Sequence, residues 1–184
     1  NEYCEYRGEK ADRRFWASAF AGSKEQSKLI IGRLHVKIIE AAHLPAADLG
    51  GTSDPYCVIM LTGCTKNGKS WQENERWMQK ERTKTKKKEL NPQFLHETSL
   101  SVYRHDMMLR IEVYDEDQQS ADDLLGIVQL PLYEMAEVGV LNRWWKLDVQ
   151  TGFTAPDAAL HLIVNYDVSA LGEAMSMLWI EPPL

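Results

Sequence analysis

Two aspartate-rich segments carry the residue types in this chain that could do chemistry. They are Asp48-Leu49-Gly50-Gly51-Thr52-Ser53-Asp54-Pro55-Tyr56 and, some sixty residues on, Tyr114-Asp115-Glu116-Asp117-Gln118-Gln119-Ser120-Ala121-Asp122-Asp123-Leu124-Leu125-Gly126. A hard cation such as Ca²⁺ takes roughly six to eight oxygen ligands in a flexible shell. Neither segment suffices alone, but together they hold seven carboxylates. Carboxylates about 4 Å apart repel by roughly 4 kcal/mol at an effective dielectric near 20 unless a cation sits among them. The pattern is that of a metal site that is sometimes empty.

Other chemistries fit less well. Asp115-x-Asp117 imitates the start of an EF-hand loop, but that loop needs Gly at position 6 and a bidentate Glu at position 12. Ser120 and Gly126 stand there instead. The five histidines, His35, His43, His96, His105 and His161, are scattered, which speaks against zinc or a redox metal. Mg²⁺ would prefer fewer carboxylates and more water. Two-metal hydrolysis would need a positioned base or nucleophile, and the sequence shows no nucleophile elbow, zincin helix or phosphate loop. No enzymatic activity is therefore expected. Solvated turn residues would account for either acid cluster singly, but poorly for two of this density.

The elements that must position these loops are strands. Leu34, Val36 and Ile38 alternate with His35 and Lys37; Leu109, Ile111 and Val113 alternate with Arg110 and Glu112; Leu160, Leu162 and Val164 alternate with His161 and Asn165. This is the period of a half-buried strand. Less regular runs near 55–61, 82–88, 97–103, 125–130 and 143–148 bring the count to about eight, punctuated by Gly, Pro, Asn and Asp. Eight short antiparallel strands point to an all-β sandwich. Short helices are expected in an N-terminal extension (1–28, helix-prone over 11–21), an insertion (64–80, with Ser70-x-x-Glu73 as a capping box) and a C-terminal extension (169–184, with Leu171, Met175 and Leu178 at helical spacing). The strand patterns fall within residues 29–168, which are expected to form the domain itself.

The chain of 184 residues has 44% hydrophobic and 26% charged residues, as expected for one domain with extensions. Its net charge of −6 argues against a nucleic-acid partner. A local run nevertheless gathers Lys80, Arg82, Lys84, Lys86, Lys87 and Lys88 into one basic stretch, suited to an anionic contact surface. Three cysteines (Cys4, Cys57, Cys64) with no metal spacing, and no visible secretory signal, suggest a reducing, cytoplasmic setting. Starting at Asn1 and not Met, the chain reads as a piece of something larger.

At these residues the chain resembles the C2 domain family. Gly32 to Pro45 is similar to the family's strand entering its first calcium loop, and Asp48 to Tyr56 to that loop itself. Arg82-Thr83-Lys84-Thr85 with Leu90-Asn91-Pro92-Gln93-Phe94 resembles the basic strand and following turn, and Val113 to Gly126 the third loop. The resemblance implies Ca²⁺, two or three ions, held by Asp48, Asp54, Asp115, Asp117 and Asp123, with Ser120 as an auxiliary ligand and backbone carbonyls of Ala47 and Glu116. Asp122 is an extra acid, read either as a support behind the ligands or, by preference, as simply solvated. The clear last strand over 159–166 favours the circular form called type II, as in the calcium-dependent domain of synaptic priming proteins.

The implied function is calcium-dependent docking on anionic membranes, with phosphatidylserine and phosphoinositides as the lipids. Bound Ca²⁺ inverts the local field of the acid loops. The tips that meet the membrane are Leu49, Gln118 and Gln119; two of the three are polar, so binding should be shallow and salt-sensitive. Arg82, Lys84, Lys86 and Lys88, at period 2, are expected to share one sheet face. By likeness to protein kinase C domains, Arg82 and Lys84 with Tyr56 and Tyr114 should bind phosphoinositide headgroups. The alternative is a calcium-stabilised protein-interaction module using Trp71, Trp77 or the terminal helices. A membrane-trafficking or signalling protein that is peripheral on calcium binding is the expected parent.

Overall fold

The computed structural model describes residues 30–170, apart from 49, 68–69, 104–106, 119 and 136–138, with backbone only over 63–67, 70–77 and 133–134. Both expected terminal helices, Cys4, Leu49, His105 and Gln119 lie outside the described residues, as do the side chains of Cys64, Trp71 and Trp77.

Among the described residues, nine strands follow in order: β1 Gly32–Ala42, β2 Pro55–Asn67, β3 Ser70–Arg82, β4 Gln93–Val102, β5 Met107–Asp115, β6 Asp123–Pro131, β7 Val140–Lys146, β8 Asp148–Val149 and β9 Ala159–Val168, with one short helix, α1 Leu132–Met135, after β6. They form two sheets, β4-β1-β9-β7 and β3-β2-β5-β6-β8, in which every pairing is antiparallel. The sandwich expected from the alternating patterns is the fold observed. The final strand β9 lies between β1 and β7 in its sheet, the place that the type II form assigns to a last strand.

Alternation makes the core. Leu34 and Ile38 of β1, Ile59 and Leu61 of β2, Leu109 and Ile111 of β5, and Leu160 and Leu162 of β9 are all 0% exposed between the sheets. Burying each such side chain contributes about 1.5–3 kcal/mol. A smaller apolar cluster lies on the other face of β2, where Tyr56, Val58 and Met60 are covered by Met78 and Tyr114.

Three expectations change. The insertion is not helical: Ser70–Arg82 is a strand, paired with β2 from Asn67↔Ser70 to Val58↔Arg82. The capping-box signal loses because the extended partner strand supplies ladder bonds on both sides of a register shift, whereas a lone short helix would have only its own bonds. Register between Leu61↔Gln79 and Gly63↔Asn74 slips by several residues, which blurs any alternation in β3.

The expected strand over 82–88 ends at Arg82. Thr83 continues alongside β2, donating from its backbone N to Cys57 O (2.9 Å) while its hydroxyl accepts from Cys57 N (2.9 Å). That side-chain bond replaces a ladder bond, and the chain then turns through Lys88 at φ 56°. Arg82, Lys84, Lys86 and Lys88 thus do not share one sheet face.

The expected single strand over 143–148 is split. β7 pairs with β9 in one sheet and β8 with β6 in the other, with buried Leu147 at the crossing.

Candidate metal centre

The β1–β2 loop is built from its own polar side chains. Ser53 is fully buried; its hydroxyl donates to Pro45 O (2.8 Å) and accepts from Ala47 N (3.0 Å). Asp48 N donates to Thr52 O and Gly51 N to Asp48 O, both 3.0 Å, with Gly51 at φ 74°, where a side chain would strain the turn. Thr52 Oγ1 donates to Asp48 Oδ2 at 3.3 Å. Asp48 is presented at the surface of the loop.

The end of the β2–β5 pair carries this loop to the second one. Pro55 lies opposite Asp115, and Asp115 opposite Asp123. Asp54 N donates to Asp115 Oδ1, and Glu116 N to Asp54 O at 3.0 Å. The connection from β3 to β4 arrives at the same place, with Glu89 N donating to Ser53 O at 2.8 Å.

Among the described residues, one group of three acid side chains lies close enough to share an ion. Ligand oxygens of Asp48, Asp115 and Asp117 all fall within 4.8 Å of one another. Asp115 is only 2% exposed. Burial raises its pKa, and the charges of Asp48, Asp117 and Asp54 push the same way, opposed by the bond from Asp54 N. Such a cluster is destabilised by its own charge and suits a hard cation with oxygen ligands.

The other expected ligands are arranged differently. Ser120 Oγ donates to Asp117 Oδ2 at 2.7 Å, at the edge of the group. Asp123 is exposed at the start of β6 and falls outside the group. Asp54 is turned to other partners: Oδ1 accepts from Lys88 N (2.7 Å) and Oδ2 from the Lys87 ammonium (3.0 Å). Partial burial acts to raise the pKa of Asp54, but these two bonds outweigh it and hold the carboxyl below its ordinary range.

Asp122 is not merely solvated. Its Oδ2 accepts from the Tyr56 hydroxyl at 2.6 Å and its Oδ1 from Asp117 N at 3.1 Å. It braces the second loop against β2, which fixes the backbone that carries Asp117. Burial and this bond both push the Tyr56 hydroxyl well above its ordinary pKa.

Three of the four phosphoinositide residues, Arg82, Tyr56 and Tyr114, are brought together, and each of these three holds a carboxylate. Tyr56 and Tyr114 stack with ring centroids 5.5 Å apart, and the Arg82 guanidinium lies 3.6 Å above the Tyr56 ring. Arg82 also pairs with Glu116, and the Tyr114 hydroxyl donates to Glu112 at 2.8 Å. Burial and that bond raise Tyr114 to about 12. Lys84 and Lys88 are exposed and Lys86 is half-buried.

Sequence reasoning missed the centre of this network, the Glu116 side chain. Oε1 accepts from Arg82 and from Thr85 (3.0 Å), and Oε2 from Lys87 (2.8 Å). Only the charge pattern, a lone Glu between two Asp facing a basic run, hinted at it.

Comparison with known proteins follows the same geometry. The C2 domain profile matches residues 32–147. Multiple C2 and transmembrane domain-containing protein 1 of Homo sapiens is 36% identical over 102 residues, 55% of this chain and 9% of that protein. Synaptotagmin-1 of Aplysia californica is 35% identical over 123 residues, 65% of this chain and 26% of that protein. The chain therefore spans about a quarter or less of the relatives that it matches. Among solved structures, a C2 domain of plant extended synaptotagmin 1 superposes with TM-score 0.60 at 26% identity, covering 78% of this chain and 99% of that one. A calcium-bound pair of C2 domains from extended synaptotagmin 2 gives TM-score 0.59 at 29% identity, covering 75% of this chain and 46% of that one. With its profile matched over most of the sandwich, the chain belongs to the C2 domain family, whose members of the synaptotagmin and extended synaptotagmin type are in general calcium- and lipid-binding modules.

Proposed function

We propose that this chain is a calcium-dependent docking module for anionic phospholipid membranes within a larger trafficking or signalling protein. The observation that carries this is the convergence of the Asp48, Asp115 and Asp117 carboxylates from two loops within 4.8 Å. Asp54, Asp123 and Ser120 complete the ligand set. Without metal the acid loops repel an anionic surface; with metal the sign of the local field reverses. The likeness to a calcium-bound extended synaptotagmin structure supports the choice of ion.

Leu49, Gln118 and Gln119 are the tips that meet the membrane, and with polar glutamines among them docking is shallow and mainly electrostatic. Lys84, Lys86 and Lys88 add a second contact, each worth about 1 kcal/mol near an anionic surface. Arg82, Tyr56 and Tyr114 join a headgroup only when its phosphate displaces the carboxylates that hold them.

Co-sedimentation with phosphatidylserine vesicles tests the proposal. Binding is expected with Ca²⁺, to be lost on chelation and in Asp115→Asn plus Asp117→Asn, and to weaken with salt. Equal binding with and without Ca²⁺ would falsify it.

A further inference from the structure

We propose that Lys87 is a tethered internal cation that competes with the incoming divalent ion for Asp54 and so sets the calcium affinity of the cup. This rests on the calcium function proposed above. Among the first-loop acids, Asp48 sits in the close group and Asp54 does not. The difference has a visible cause. Lys87 Nζ lies 3.0 Å from Asp54 Oδ2 and 2.8 Å from Glu116 Oε2, bridging the two acid loops from the side of the basic connection.

The bridge is built from three sides. Glu116, which holds Lys87, is itself fixed by Arg82 and Thr85 on its other oxygen. Lys88 N holds the second oxygen of Asp54 at 2.7 Å, in the turn made by the positive φ of Lys88. The Lys87 side chain remains 53% exposed, so it can leave without unpacking the fold.

A divalent ion that takes Asp54 must therefore displace an ammonium already there. The displaced Lys87 stays beside Glu116 or turns to solvent, one more free cation next to Lys84 and Lys86. Calcium entry then changes the surface twice: it adds its own charge, and it releases a lysine that had been neutralising the loops.

Calorimetric Ca²⁺ titration of the 184-residue chain tests this, with circular dichroism as the check on folding. Lys87→Gln is expected to tighten calcium binding about two- to fivefold, the factor an exposed ion pair supplies. Lys87→Arg, which keeps the charge and the donors, should stay near wild type. Lys80→Gln removes the same charge from an exposed position near the end of β3 and should change affinity less than Lys87→Gln. The metal-free thermal midpoint of Lys87→Gln should not rise, since a bridge is lost.

Unchanged or weaker binding in Lys87→Gln overturns the proposal. Equal tightening in Lys80→Gln also overturns it, because a general field would then be the cause. Absence of calcium binding in wild type overturns both this inference and the calcium cup, whereas wild-type binding with an unresponsive Lys87→Gln overturns this inference alone.

Discussion

Glu116 accepts from Lys87, Thr85 and Arg82, and those hydrogen bonds hold its carboxyl at about 2 instead of the ordinary 4.5. A carboxyl whose pKa falls on folding stabilises the fold above its unfolded value, and that contribution disappears as pH drops towards the folded one. The tie between the basic connection and the second loop is thus present above pH 4.5 and lost towards about 2. Asp115 carries the opposite sign. Burial and neighbouring acids raise its pKa, so acid relieves repulsion there. In metal-free protein, Glu116→Gln should flatten the fall in thermal midpoint across that acid range. A fall as steep as in wild type would mean that the tie contributes nothing in solution. Residue types alone do not reveal this. The family resemblance gives Glu116 only a backbone carbonyl role, and its side-chain partners lie 29 to 34 positions away on a connection whose path depends on the fold.

At the scale of elements, close approach matters more than propensity. A Cβ on Gly32 would lie 2.6 Å from Tyr166 Cε2 and 2.7 Å from Asp167 O, the facing strand. Gly32→Ala should therefore force β1 and β9 apart at that end and cost about 1–3 kcal/mol, read as a lower denaturant midpoint. An unchanged midpoint would show that the two strands separate there without penalty. Strands whose inner face is simple were legible: β1, β5 and β9 alternate because one side of each meets the core. β3 was not, since its register slips against β2 and erases the period. The basic run looked like a strand because its lysines alternate, but the hydroxyl of Thr83 intercepts the Cys57 amide and ends the ladder. The two acid clusters were legible from residue type and density, and the family resemblance singled out Asp48, Asp115 and Asp117 within them. That Asp54 would be held by Lys87 and Lys88 could not be found without the path of the β3–β4 connection.

For the whole molecule, the sandwich acts as a rigid stand that brings three connections to one end: the two acid loops and the basic stretch after β3. Backbone bonds join them, from Asp54 to Glu116 and from Ser53 to Glu89. The acid loops and the basic stretch are therefore adjacent by construction, and an ion bound to one loop would alter the field at all three. Shared ligation is the central claim, and it is most directly tested by titrating Ca²⁺ into ¹⁵N-labelled protein and following amide resonances. Residues 48–54 and 115–123 should shift together, saturating with the same midpoints, while the strands of the β4-β1-β9-β7 sheet stay in place. Shifts confined to one loop, or the two loops saturating independently, would contradict a cup built from both.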